Sequence, residues 1–229
     1  MSRFNSRVVR TYVAVSLIAG VTVGSAALRA DEPGRGRTAA FEVAYLKFII
    51  DHHFSALRMT ELAAGTDPVR DAAIDPSEGT SPTPNFEATT SKATLSEILS
   101  IARGANRMQR EEILRAQQFL RDWYGQEHAP RVRPSARLLI AILEKTPAGR
   151  PFDRTFLQVF SRHHYQALEP SVDCLVSREL RHDDLERYCN GIVHMQTNEI
   201  TDMRKLLCRE FGICDFTPAA PLAAGDGSK

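Results

Sequence analysis

The chain reads as an all-α protein, a four-helix bundle built from two duplicated αα-hairpins with a short helix linking them. Three observations carry this reading. Residues 41–57 (FEVAYLKFIIDHHFSAL) recur as residues 152–168 (FDRTFLQVFSRHHYQAL) at an offset of 111, which takes His52 to His163. Residues 108–113 (MQREEI) recur as residues 195–200 (MQTNEI) at an offset of 87, which takes Glu112 to Glu199. The apolar residues in both copies fall at the 3-4 spacing of one helix face. A single hairpin could not bury both of its stripes, so the two hairpins should pack on each other about a pseudo-two-fold axis.

Residues 1–30 read as a secretory signal. Arg3, Arg7 and Arg10 precede an apolar run at 12–23, and small residues from Gly24 to Ala27 follow, with cleavage after Ala27 or Ala30. The competing reading is an uncleaved membrane anchor. Against it, the run is short, because a span needs about 20 residues. The expected location is therefore secreted or periplasmic, with no stable membrane insertion after cleavage. Without residues 1–30 the chain keeps 25 Lys and Arg against 28 Asp and Glu, a net charge of −3. No basic patch suits nucleic acid.

Repeat one occupies residues 38–128. The stripe of its first helix is Phe41, Tyr45, Phe48, His52, Ser55, Met59 and Leu62. Its second helix runs over about 95–124 and stops at Gly125, a common glycine cap. Between them, residues 65–91 are rich in Pro, Ser, Thr and Asp and carry the 24-residue difference between the two offsets. This segment reads as a tolerated surface loop rather than a lid. Residues 129–150 are a linker with a short amphipathic helix at 134–145. Repeat two occupies residues 151–216, with the stripe Phe152, Phe156, Val159, His163, Gln166 and Pro170. Pro170 stands at the Met59 position and is expected to kink or break its helix. The last helix runs over about 184–211 and stops at Gly212. Residues 217–229 form a small-residue tail expected to be disordered.

All four cysteines lie in repeat two, and export makes them disulfide candidates. Three connectivities are open. The preferred one is Cys174–Cys189 with Cys208–Cys214. Under the two offsets Cys174 and Cys189 become Ala63 and Ala102 together, and the second pair flanks the helix stop at Phe211-Gly212. A loop of 15 residues contributes about 3 kcal/mol when closed. The other reading is buried free thiols.

Setting Cys174 level with Cys189 on antiparallel helices places His164 level with Glu199. The same register from Ala63 and Ala102 places His53 level with Glu112. Adjacent helical residues point about 100° apart, so one His of each pair can face its partner helix while the other faces the bundle centre or the next hairpin. Met59 lies two turns from His52, about 10 Å, and cannot share an ion with it. A metal site must then be assembled across helices. The candidates are His52, His53, Glu112 and Met108, then His163, His164, Glu199 and Met195, with Gln109, Gln196 and Met59 in supporting places. Imidazole suits copper, zinc, iron and nickel, and thioether selects Cu(I), so this set in an exported protein leans toward copper. The competing reading is a non-catalytic structural or interaction module in which the His–Glu pairs are core hydrogen bonds. No phosphate-binding glycine motif, nucleophile elbow or Cys-x-x-Cys motif is present. The single Glu-x-x-His, Glu179 to His182, falls short of the two such motifs plus two further glutamates of di-iron bundles. A metal-dependent redox enzyme is thus the third and weakest reading.

The pattern Phe-Ile-x-x-His-His-x-x-Ala-Leu, followed by Gln-x-x-Glu-Ile before a helix ending in aromatic-Gly, resembles the bacterial domain-of-unknown-function family three hundred and five. The resemblance spans roughly residues 41–216. Members are typically exported, carry one or two copies and belong to the ferritin-like helical superfamily. Some relatives bind copper in the periplasm and are linked to copper resistance. The resemblance implies a ferritin-like bundle and implicates His52, His53, His163 and His164 by motif. The chain is poorer in methionine than the copper-binding relatives, and the loss of Met59 to Pro170 makes copy one the better site.

Overall fold

A computed structural model describes residues 37–66, 83–177 and 180–219. The expected signal at 1–30, residues 67–82 of the long loop, Glu179 and the tail from residue 220 lie outside the described residues. Among the described residues there are five helices and no strand. They are α1 (Arg37–Ala64), α2 (Ser96–Tyr124), α3 (Pro134–Lys145), α4 (Arg150–Val176) and α5 (Asp183–Phe211). α1 packs with α2 and α4 with α5 as hairpins. α1 also meets α4, and α3 touches both. The result is the all-α helical bundle of two hairpins expected from the repeats.

The helix ends follow local chemistry. Gly125 (φ 59°) and Gly212 (φ 68°) close α2 and α5 in the left-handed conformation. The Gly125 N–H bonds to the Arg121 carbonyl and the Gln126 N–H to the Leu120 carbonyl, and Gly212 and Ile213 repeat both bonds on Cys208 and Leu207. These are paired C-terminal caps in which glycine avoids the Cβ clash. α3 starts with Pro134 in its first turn, where a missing N–H costs nothing.

α4 runs unbroken from Arg150 to Val176 through Pro170, so the helix break expected there does not occur. Proline deletes one N–H bond, but the next turn is held independently. The Tyr45 hydroxyl lies 3.0 Å from Ser171 Oγ, and Cys174 is joined to Cys189 on α5. The second bridge is Cys208–Cys214, so the preferred connectivity is the one present and no cysteine is free.

The core divides into two apolar clusters. One gathers Met59, Leu62, Ile98, Phe152, Phe156 and Met203, and the other Leu46, Ile50, Ile113, Leu120, Ala167 and Ile192. The C-terminal half of α1 thus shares a cluster with the N-terminal half of α4, which makes these helices antiparallel. The four histidines, Gln109 and Gln196 fall at the heights between the clusters and are all buried.

Buried carboxylates tie the connections to the helices. Glu42 accepts the Tyr124 hydroxyl, the Arg181 N–H (2.7 Å) and His182 Nδ1 (2.8 Å). Asp51 accepts His128 Nε2 (2.7 Å) and the Arg131 N–H (3.1 Å). Glu61 takes the Thr83 N–H at 3.0 Å, so the described end of the long loop docks on α1. No helix among the described residues is long and apolar enough to cross a membrane.

Candidate metal centre

The register read from the cysteine spacing is present in both hairpins. His53 Nε2 lies 3.1 Å from Glu112 Oε2, and His164 Nε2 contacts Glu199 Oε2. The other histidine of each pair faces across the hairpin boundary. The His52 and His163 rings stack with centroids 3.8 Å apart and planes 12° from parallel. Within each pair the ring centroids are 5.8 Å (His52–His53) and 6.2 Å (His163–His164) apart. A continuous series of contacts therefore runs Glu112, His53, His52, His163, His164, Glu199. The imidazoles of His53 and His164 are fully enclosed, whereas the Glu112 and Glu199 side chains keep 18% and 17% exposure. Aromatic rings extend the central stack: Phe48 lies 5.5 Å from His52 and Phe160 lies 6.1 Å from His163.

Helical phase produces this arrangement. With neighbours about 100° apart, His53 and His164 turn toward α2 and α5 while His52 and His163 meet on the α1–α4 seam. Burial pushes the His52 imidazole well below its usual range, and the positive charge that His163, His53 and His164 would carry pushes it the same way. Burial likewise lowers His163, followed by the influence of His164 and His53, with its contact to the His52 backbone opposing. Both rings are therefore neutral at neutral pH, the form that can ligate a metal.

The layer is short of hydrogen bonds. His52 Nε2, His53 Nδ1 and His164 Nδ1 have no partner, and the His163 ring, though against the His52 backbone, makes no well-aligned hydrogen bond. Both amide atoms of Gln109, Oε1 of Gln196 and Oγ of Ser161 also lack a partner. A buried group left in this state costs about 1–3 kcal/mol. So many in one layer is unusual for a native core.

Met108 and Met195 are half-buried, four residues before Glu112 and Glu199 and hence on the same helix face. Met59 belongs to an apolar cluster. Among the described residues no three His, Cys, Asp or Glu side chains converge in a group able to hold a metal ion. Sequence reasoning did not find Phe48 or Phe160 as neighbours of the layer. The stripe spacing flagged Phe48, four residues before His52, but as core only. It also missed His128, whose partner Asp51 directly precedes the His-His pair.

The fold and the layer define a class: a bundle of two repeated hairpins crossed at mid-height by paired buried imidazoles. The chain belongs to the family described as Domain of unknown function (DUF305), which matches residues 86–207. Among solved structures it is similar to CopM in the Cu(II)-bound form, with a TM-score of 0.56 and 17% identity over 74% of this chain and 97% of that one. It is also similar to CopM in the Cu(I)-bound form, with a TM-score of 0.52 and 18% identity over 75% and 98% of the two chains. The co-crystallised Ag-bound form gives a TM-score of 0.54 and 18% identity over the same shares. At this identity the likeness is one of fold. No curated protein matches the chain.

Proposed function

We propose that this chain is an exported metal-binding protein that binds or buffers copper through its duplicated His-His motifs. The observation that carries the proposal is the buried layer of imidazoles whose nitrogens lack partners. A metal ion ligated there would satisfy nitrogens that no protein group satisfies, and the neutral state of His52 and His163 supplies free lone pairs. His52, His53, His163 and His164 would be the ligands. Glu112 and Glu199 would ligate or orient the imidazoles, with Met108 and Met195 as thioether donors and Gln109, Gln196 and Met59 as supporting groups. Imidazole and thioether together favour copper, in particular Cu(I). The likeness in fold to CopM, seen with Cu(II), Cu(I) and Ag, supports the same reading. The two disulfides support export, with residues 1–30 as its signal and residues 38–128 and 151–216 as the two repeat units.

A second reading treats the protein as a structural or interaction module. It is favoured by the His53–Glu112 and His164–Glu199 pairs, and by the lack of a three-ligand group of His, Cys, Asp or Glu among the described residues. Elemental analysis of the mature oxidised protein, purified without chelator, separates the two. Stoichiometric copper that is lost in His52→Ala/His163→Ala supports metal binding. No metal after challenge with Cu(I), Cu(II) and Zn(II) overturns it in favour of the second reading.

A further inference from the structure

Beside Glu112 a cleft of about 340 Å³ opens between α2 and α5, lined among others by Met108, Glu111, Glu112, Asp184 and Tyr188. Its floor is fixed to the layer. The Tyr188 hydroxyl donates to the Glu112 carbonyl at 2.9 Å, and the Glu112 side chain, partly exposed on the cleft side, ends 3.1 Å from the enclosed His53 Nε2. That imidazole is aimed at Glu112 without making a well-formed hydrogen bond to it, and its Nδ1 has no partner. One turn before Glu112, the Gln109 amide is 2% exposed and also unpartnered. Glu112 is therefore the one residue of the series that touches both the cleft and a buried ligand-capable ring of copy one.

The chemistry of the cleft suits a soft cation. Met108 and Glu112 share a helix face, placing a thioether and a carboxylate at the same wall. Asp184 and Arg187 neutralise each other at 2.5 Å, and the Arg115 guanidinium lies over the Phe119 ring, 5.7 Å from its centroid. Glu111 and Glu112 then outweigh the remaining positive charge. A net negative excess at a cleft raises the local concentration of cations.

We infer that this α2–α5 cleft is the route by which a soft monovalent cation reaches the buried layer, with Glu112 receiving the ion from solvent and passing it to His53. This rests on the metal-binding reading above. No bond other than the metal's own is made or broken: Glu112 releases the ion as the His53 nitrogen takes it.

The test follows uptake of Ag(I) and of Cu(I), each delivered from a chromogenic chelator by stopped flow. The wild-type chain is compared with Glu111→Lys and with Asp173→Lys, an equal change of charge on the exposed face of α4. Glu111→Lys should slow uptake about fivefold at low ionic strength relative to Asp173→Lys, and the difference should shrink as salt is raised. Stoichiometry should be unchanged, because Glu111 is not a ligand. Equal rates in the two variants, with normal loading of both, would overturn the route and leave metal binding standing. Failure of the wild-type chain to take up either ion would overturn both.

Discussion

If the central imidazoles are held for a ligand rather than for packing, removing them should stabilise the metal-free protein. The perturbation is His52→Leu together with His163→Leu. Leucine is close to histidine in volume, so the exchange should leave no large cavity, and repacking costs less than about 1.5 kcal/mol. The wild-type rings each bury imidazole nitrogen without a well-formed hydrogen bond. Two such groups cost about 2–6 kcal/mol together at 1–3 kcal/mol each. Against this, the variant forfeits the stack at 3.8 Å, a contact of the kind that contributes about 0.5–1.5 kcal/mol. Taken at mid-range, the balance is a gain of about 2 kcal/mol. Urea denaturation of both proteins, disulfides intact and chelator present, reads this as a higher midpoint at unchanged slope. A loss of more than about 1 kcal/mol would show that the two imidazoles hold the hairpins together, and would refute the reasoning.

Three further outcomes follow from the same structure. The folded chain holds His52 and His163 far below the usual imidazole range, so the unfolded chain takes up protons first as pH falls. The apo protein should keep this stability above about pH 6.5, the unperturbed value, and lose it progressively below; a flat urea midpoint from pH 7.5 to 5 would contradict the burial argument. Replacing Cys174 and Cys189 by alanine, the pair found as Ala63 and Ala102 in repeat one, should cost about 3 kcal/mol for a loop of 15 residues, measured by the same denaturation. Glu61→Ala strands the buried Thr83 N–H, so it should cost about 1–3 kcal/mol and speed limited proteolysis within residues 65–91; an unchanged cleavage rate would mean that the loop is held elsewhere.

Features set within one hairpin were legible in the sequence. Gly125 and Gly212 mark helix ends because a left-handed residue is needed there, and Pro134 marks the start of α3. The cysteine register brought His53 to Glu112 and His164 to Glu199, since two antiparallel helices of equal rise leave only one unknown. What lay between hairpins was not legible. The His52–His163 stack depends on how the two hairpins dock, which no spacing within either one fixes. The same holds for the α2–α5 cleft and for the partners of Glu42 and Asp51, which come from distant connections. Pro170 was read as a kink or a break because its local cost is visible in sequence, while the Ser171 and Cys174 contacts that hold the next turn are tertiary.

The most direct measurement is a Cu(I) competition titration of the oxidised wild-type protein beside His52→Leu/His163→Leu, the variant expected to remain folded. Metal binding at the buried layer requires stoichiometric, high-affinity Cu(I) in the wild type, weakened at least tenfold in the variant. Equal affinity in the two proteins would place any bound copper elsewhere and leave the four imidazoles as a structural layer.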